Sequence, residues 1–120
     1  MDPRIERVIA LVKSDFRRKL DLDELAAACG LSVFTFSHLF KEQTGMSPLQ
    51  YMKVLRLYEA LRFLLKTTVS LKTIRYETGF EDRSHFSRDF KLFFGVAPSR
   101  VRSDSEFERD DEPPQEPPHK

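Results

Sequence analysis

The sequence predicts an all-α fold: two helix-turn-helix subdomains joined by a long linker helix, about seven helices in all. Two observations predict it. Apolar residues recur at helical spacing between capping residues along most of the chain, and the pattern of the first half returns in the second. A third observation bounds it, because 120 residues leave room for one compact domain or for two very small ones that share a helix. No segment asks for a strand.

Taken in order, Asp2 and Pro3 form a cap and first-turn pair, after which Ile5, Val8, Ile9, Val12 and Phe16 recur at helical spacing in a first helix ending near Lys19. Asp21 and Glu24 have capping-box spacing and open a short helix, Leu22 to Cys29, which Gly30 can stop by turning left-handed. Ser32 caps the next helix, whose apolar side is Phe36, Leu39 and Phe40 and which ends at Gly45. Ser47 and Pro48 open the longest helix, to about Lys66, with Tyr51, Leu55, Tyr58, Leu61 and Leu65 on one stripe. Leu71 to Thr78, Phe80 to Phe94 and Pro98 to Arg102 then repeat the theme.

The repetition is literal. Leu25 and Gly30 return as Ile74 and Gly79, at an offset of 49 residues, and Phe36, Ser37, Phe40, Lys41, Gly45 and Pro48 return as Phe86, Ser87, Phe90, Lys91, Gly95 and Pro98, at an offset of 50. The second unit therefore carries one extra residue in its turn, within Glu81-Asp82-Arg83. A short helix, a turn containing Gly and a second helix is the helix-turn-helix pattern, present here twice. The expected organisation is a first unit at 5–46, a linker helix at 47–66, a second unit at 70–102, and a tail from 104 to 120.

Composition excludes several classes. With 40% hydrophobic and 32% charged residues and 11 Phe, the chain reads as an ordinary soluble protein, without an apolar run near the roughly 20 residues of a membrane span. The N-terminus mixes charges into its apolar pattern and has no small-residue cleavage site, so a cytoplasmic location is expected. The single cysteine, Cys29 in the run AAACGL, excludes an internal disulfide and reads as a small packing residue. The net charge of +1 hides an asymmetry: residues 104–120 hold seven acids against two bases, leaving +6 for residues 1–103. A basic folded part suits a polyanion. The Pro-rich, acidic tail, with Phe107 its one large apolar residue, is expected to be disordered.

Helical projection puts Phe34, Ser37, His38 and Lys41 opposite the apolar side of the second helix of the first unit. In the later unit it puts Phe86, Phe90 and Phe93 inward and Ser84, Ser87, Arg88 and Lys91 outward, with His85 at the margin. Neither outward set contains an acid. Short hydroxyls permit close approach, Arg and His donate to guanine edges, an apolar ring can touch a thymine methyl, and Lys serves phosphates, which together are the needs of a major-groove helix. A merely solvated face would mix in Asp and Glu. Exposed Phe34 asks for a partner. The linker, Ser47 to Lys66, would be roughly 30 Å long, close to the roughly 34 Å between successive major-groove segments.

The stretches LDELAAACGLSVFTFSHLFKEQTGMSPLQYMKVLRLYEALRFLL and IRYETGFEDRSHFSRDFKLFFGVAPSRVR resemble the DNA-binding domain of the AraC/XylS family of bacterial transcription regulators over about residues 5 to 102, the GFEDRSHFSRDFK and FGVAPS segments being the more specific. The resemblance implies a seven-helix domain that binds an asymmetric duplex site and activates promoters through RNA polymerase; the unequal outward faces and the linker length lead us to expect a monomer on that site. It also implies base contacts by Phe34, Ser37 and His38 in the first unit, and by Arg83, Ser84, His85 and Arg88 in the second. Lys41 and Lys91 complete the expected DNA-binding set, and no cofactor or metal is expected.

Three departures stand out. Arg75 replaces the family's usual small residue where the two helices of a unit press together, so its charge must reach solvent or phosphate or the helices are wedged apart. Val101 stands in for an aromatic, and His38 for a stronger donor. An enzyme would draw on Cys29, His38, His85 and His119, which do not converge, and no carboxylate pair or phosphate-binding glycine loop accompanies them. The alternative is a helical protein-interaction module that does not bind DNA. The initiating Met and the acidic tail fit a complete small regulator better than part of a longer chain.

Overall fold

The computed structural model describes residues 1–105; the acidic segment beyond, including Phe107 and His119 and most of the expected disordered tail, lies outside the described residues. Seven helices follow in order: α1 Pro3–Ser14, α2 Leu22–Ala28, α3 Val33–Thr44, α4 Pro48–Lys66, α5 Leu71–Thr78, α6 Arg83–Phe94 and α7 Pro98–Ser105, with no strand among the described residues. They form two compact units, Met1–Leu55 and a second beginning at Arg56. No described helix is long and apolar enough to cross a membrane.

In the first unit Asp2 accepts the Arg4 amide at 2.8 Å and Pro3 occupies the first turn of α1. The helix stops at Ser14, short of Lys19, because Asp15 is extended (φ −154°) and its Oδ1 accepts the Arg17 amide at 3.0 Å, an Asx turn that competes with helix continuation. Phe16 thus lies beyond the helix yet still packs, half-buried, against the core. Asp21 caps α2 through the Glu24 amide at 2.8 Å. Gly30, at φ +67°, then sends its amide to the Ala27 carbonyl while Leu31 bonds to Ala26, both at 3.0 Å, a Schellman ending that reverses the chain into α3. Gly79, at φ +84°, ends α5 by the same pair of bonds, its amide to Tyr76 and that of Phe80 to Arg75.

Each unit has its own core. The first joins Ile5, Val8, Ile9 and Val12 of α1 to Leu25 and Ala26 of α2, Phe36 and Phe40 of α3, and Tyr51, Met52 and Leu55 from the first half of α4. The second is built on Leu57, Ala60 and Leu64 from the second half of α4, Ile74 of α5, and Phe86 and Phe90 of α6. The part α1 plays in the first unit thus falls to the second half of α4. A single stripe through Tyr58, Leu61 and Leu65 was the wrong expectation: these three are only half-buried, because α4 changes core between Leu55 and Leu57.

The second unit closes with α7, which runs to Ser105, past Arg102 where the sequence pattern placed its end. The Arg102 guanidinium donates to the Thr67 carbonyl at 3.0 Å, to the Val69 carbonyl and, at 3.4 Å, to the Phe63 carbonyl that already accepts from the Thr67 amide, so one side chain ties α7 to the turn between α4 and α5.

Candidate nucleic-acid interface

α3 is held from below and open above. Phe36 and Phe40 are 0% and 1% exposed, and their rings continue edge-on to Tyr51 at 5.4 Å. Ser32 fixes the N-terminus by accepting the Thr35 amide at 3.1 Å. On the other side Phe34, His38 and Lys41 are exposed and Ser37 is half-buried. Phe34 keeps 74% of its surface in solvent, yet its ring is not loose: the His38 ring lies 4.3 Å away, tilted by 45°.

α6 repeats this with different chemistry. Its buried side is an aromatic ladder, Phe80 to Phe86 at 4.9 Å, Phe86 to Phe90 at 5.8 Å and Phe90 to Phe94 at 4.6 Å. Phe93, expected inward, is 42% exposed and leans on Tyr58 and Phe94 at 5.6 and 4.9 Å, while Phe94 is the ring packed against the core. At 100° per residue Phe93 falls only about 20° from Phe86, so helical angle alone does not keep it out of the core; Phe94, next to Phe90, takes that place. Arg83, Ser84, His85, Arg88 and Lys91 are all exposed, so the structure brings the five together on one helix surface, as it does Phe34, His38 and Lys41 on α3.

Two acids at this surface escaped the helical projection. Asp82 caps α6 by accepting the His85 amide at 2.9 Å, and that bond, with the nearby Arg75 charge a smaller contribution, holds its carboxyl below the usual carboxylate range. Asp89 occupies the position of half-buried Leu39, and its Oδ1 lies 3.6 Å from Arg88 Nε, which limits where the guanidinium can swing. The extra turn residue made the first detectable: adding one residue after Gly79 aligns Asp82 with Ser32. The pairing of Asp89 had no such signal, because periodicity assigns a margin position to neither side. Arg75 stands where the first unit has buried Ala26 and is itself half-buried; Ile74 and Phe86 of the same unit's core remain 0% and 1% exposed, so the core stays closed. Cys29 packs half-buried at the end of α2, with its sulfur 3.7 Å from the Arg4 carbonyl oxygen, and burial pushes its thiol pKa up, away from nucleophile character.

A duplicated short helix, glycine turn and supported second helix defines a protein of the helix-turn-helix class. A family model described as a helix-turn-helix domain matches residues 25–104, and the chain belongs to the AraC-type helix-turn-helix family. It is similar to the HTH-type transcriptional activator RhaS of Mannheimia succiniciproducens, with 34% identity over 96 residues, 80% of this chain and 36% of that protein. It is also similar to the HTH-type transcriptional regulator GbdR of Pseudomonas aeruginosa, with 31% identity over 100 residues, 83% of this chain and 27% of that one. The chain spans about a quarter to a third of the length of these curated relatives. Among solved structures, the DNA-binding domain of AdpA in complex with a target DNA superposes with a TM-score of 0.85 at 25% identity, covering 91% of this chain and 98% of that one. An AraC-type regulator from Chromobacterium violaceum gives 0.79 at 28% identity, covering 86% and 92%.

Proposed function

We propose that the protein is a sequence-specific duplex-DNA-binding transcription regulator that inserts α3 and α6 into successive major-groove segments of one asymmetric site. One observation carries this reading: the same supported helix occurs twice, each time with a buried Phe pair beneath and an exposed set above in which hydroxyl, imidazole and cationic groups predominate. Phe34, Ser37 and His38 on α3 and Arg83, Ser84, His85 and Arg88 on α6 are the base readers; Lys41 and Lys91 serve phosphates. Likeness to the domain of AdpA that was crystallised with a target DNA supports the same reading. Likeness to the transcriptional activator RhaS supports activation as the mode of regulation; contact with RNA polymerase, binding by a single copy and a cytoplasmic location complete the proposal. The chemistry is recognition, with no catalytic step.

The test is a labelled duplex pool with a randomised centre. Specific binding that falls steeply between 50 and 200 mM salt is expected, since the +6 charge of residues 1–103 must displace condensed counterions. Absence of salt-sensitive duplex binding would replace this reading with that of a protein-interaction module.

A further inference from the structure

One pair of equivalent exposed positions sets the two candidate reading helices apart: Phe34 in the first turn of α3 corresponds to Ser84 in the first turn of α6. Residues in the first turns of a recognition helix are the ones that reach base edges. A phenyl ring there can neither donate nor accept a hydrogen bond, and among the features that the four base pairs show in the major groove only the C5-methyl of thymine is apolar. The ring is 74% exposed and lies against the His38 ring one turn along the helix, with centroids 4.3 Å apart and the planes tilted by 45°. The neighbouring Thr35 hydroxyl accepts from Ser32 Oγ at 3.0 Å, which ties it to the cap of the helix.

We infer that Phe34 makes the α3 half-site selective for a pyrimidine bearing a 5-methyl group, thymine in ordinary DNA and 5-methylcytosine where cytosine is modified, whereas the α6 half-site has no such dependence. The inference rests on the DNA-binding reading above and names the chemistry of one of its contacts. Cytosine methylated at C5 presents its methyl at the same place in the groove as thymine does, so methylation would create a contact for α3 rather than block one.

The experiment uses the full chain and the best duplex recovered from the random pool. The α3 half is identified as the half whose base preference is relaxed by His38→Ala. Each thymine in the duplex is replaced singly by uracil, which removes the methyl and keeps the pairing edge. One position in the α3 half should lose about fourfold in affinity, the value of burying one carbon, and no position in the α6 half should respond through Phe34. Placing 5-methylcytosine rather than cytosine at the sensitive position should recover a similar factor. Phe34→Ala, at an exposed position, should bind thymine and uracil duplexes equally while keeping its far-UV circular dichroism. A selected α3 half without thymine, or uracil replacements there without effect in the wild-type protein, would overturn the inference while leaving DNA binding intact. Failure to bind any duplex would overturn both.

Discussion

The two units solve one architectural problem with different means. The first has α1 wholly to itself, a core of mixed aliphatic and aromatic side chains, and Ala26 where α2 meets α3. The second shares α4, has half as many fully buried apolar residues in its core, relies on a run of Phe rings, and carries Arg75 at the equivalent meeting point, with the charged side chain of Arg102 closing its far end. The lesson is that a repeat conserves what positions the reading helix, namely the glycine ending, the cap and the Phe pair. What lies above and around that frame differs between the units, as the proposed reading of two unlike half-sites requires.

The largest effect should come from breaking the smaller core. Phe86→Ala removes a ring that is 1% exposed, at a cost of about 3–5 kcal/mol. With few other buried residues to hold the unit, α5 and α6 should lose hydrogen-exchange protection while α2 and α3 retain theirs. Equal loss across all four helices would mean that the units unfold as one. A smaller effect is expected from Arg102→Met, which keeps the apolar stem and removes charged donors from the Thr67 and Phe63 carbonyls, at about 2 kcal/mol in chemical denaturation. Gly30→Ala should cost about 1 kcal/mol from backbone strain alone, since a Cβ there meets nothing within 4 Å and only φ, at +67°, penalises it.

The smallest effect separates the two caps. Asp82 titrates lower in the folded protein than in the unfolded chain, so its ionised form stabilises the fold at every pH above the usual carboxylate range, and this contribution disappears as pH falls through the lowered value. Ser32, capping α3, has no charge to lose. Amide protection at the start of α6 should therefore weaken on acidification in the wild-type protein and less so in Asp82→Asn, which keeps a capping oxygen. Identical acid profiles in the two proteins would show that the charge of this cap does not matter.

Much of the frame was legible in the sequence because it depends on local rules. Asp2, Asp21 and Ser32 as caps, Gly30 and Gly45 as stops and the Phe36 and Phe40 side of α3 each follow from a few neighbouring residues. What periodicity missed depends on tertiary choice. A stripe through Tyr51, Leu55, Tyr58, Leu61 and Leu65 is a good single stripe, but α4 serves two cores in succession, and a periodic pattern cannot announce that its target has changed. Phe93 fits an apolar face by count and is displaced by Phe94 at the core. Arg102 looks like a solvated base until the carbonyls at the end of α4 are placed beside it. At the candidate surface helical angle picked out Phe34, His38, Lys41, Ser84, Arg88 and Lys91, which are exposed, and Ser37, which is half-buried; Arg83 came from the family resemblance and His85 was left at the margin, while the Asp89 contact with Arg88 depended on which way a marginal carboxylate turns.

The central claim is that one chain reads two unlike half-sites with two versions of the same helix, and Arg88→Ala on the selected duplex tests it most directly. The account predicts a loss of about 1–3 kcal/mol in affinity, a relaxed base preference confined to the half that α6 reads, and an unchanged preference in the half that His38→Ala relaxes. A uniform weakening on matched and scrambled duplexes would make Arg88 a phosphate contact. A palindromic selected site, with both substitutions relaxing both halves alike, would contradict the account outright.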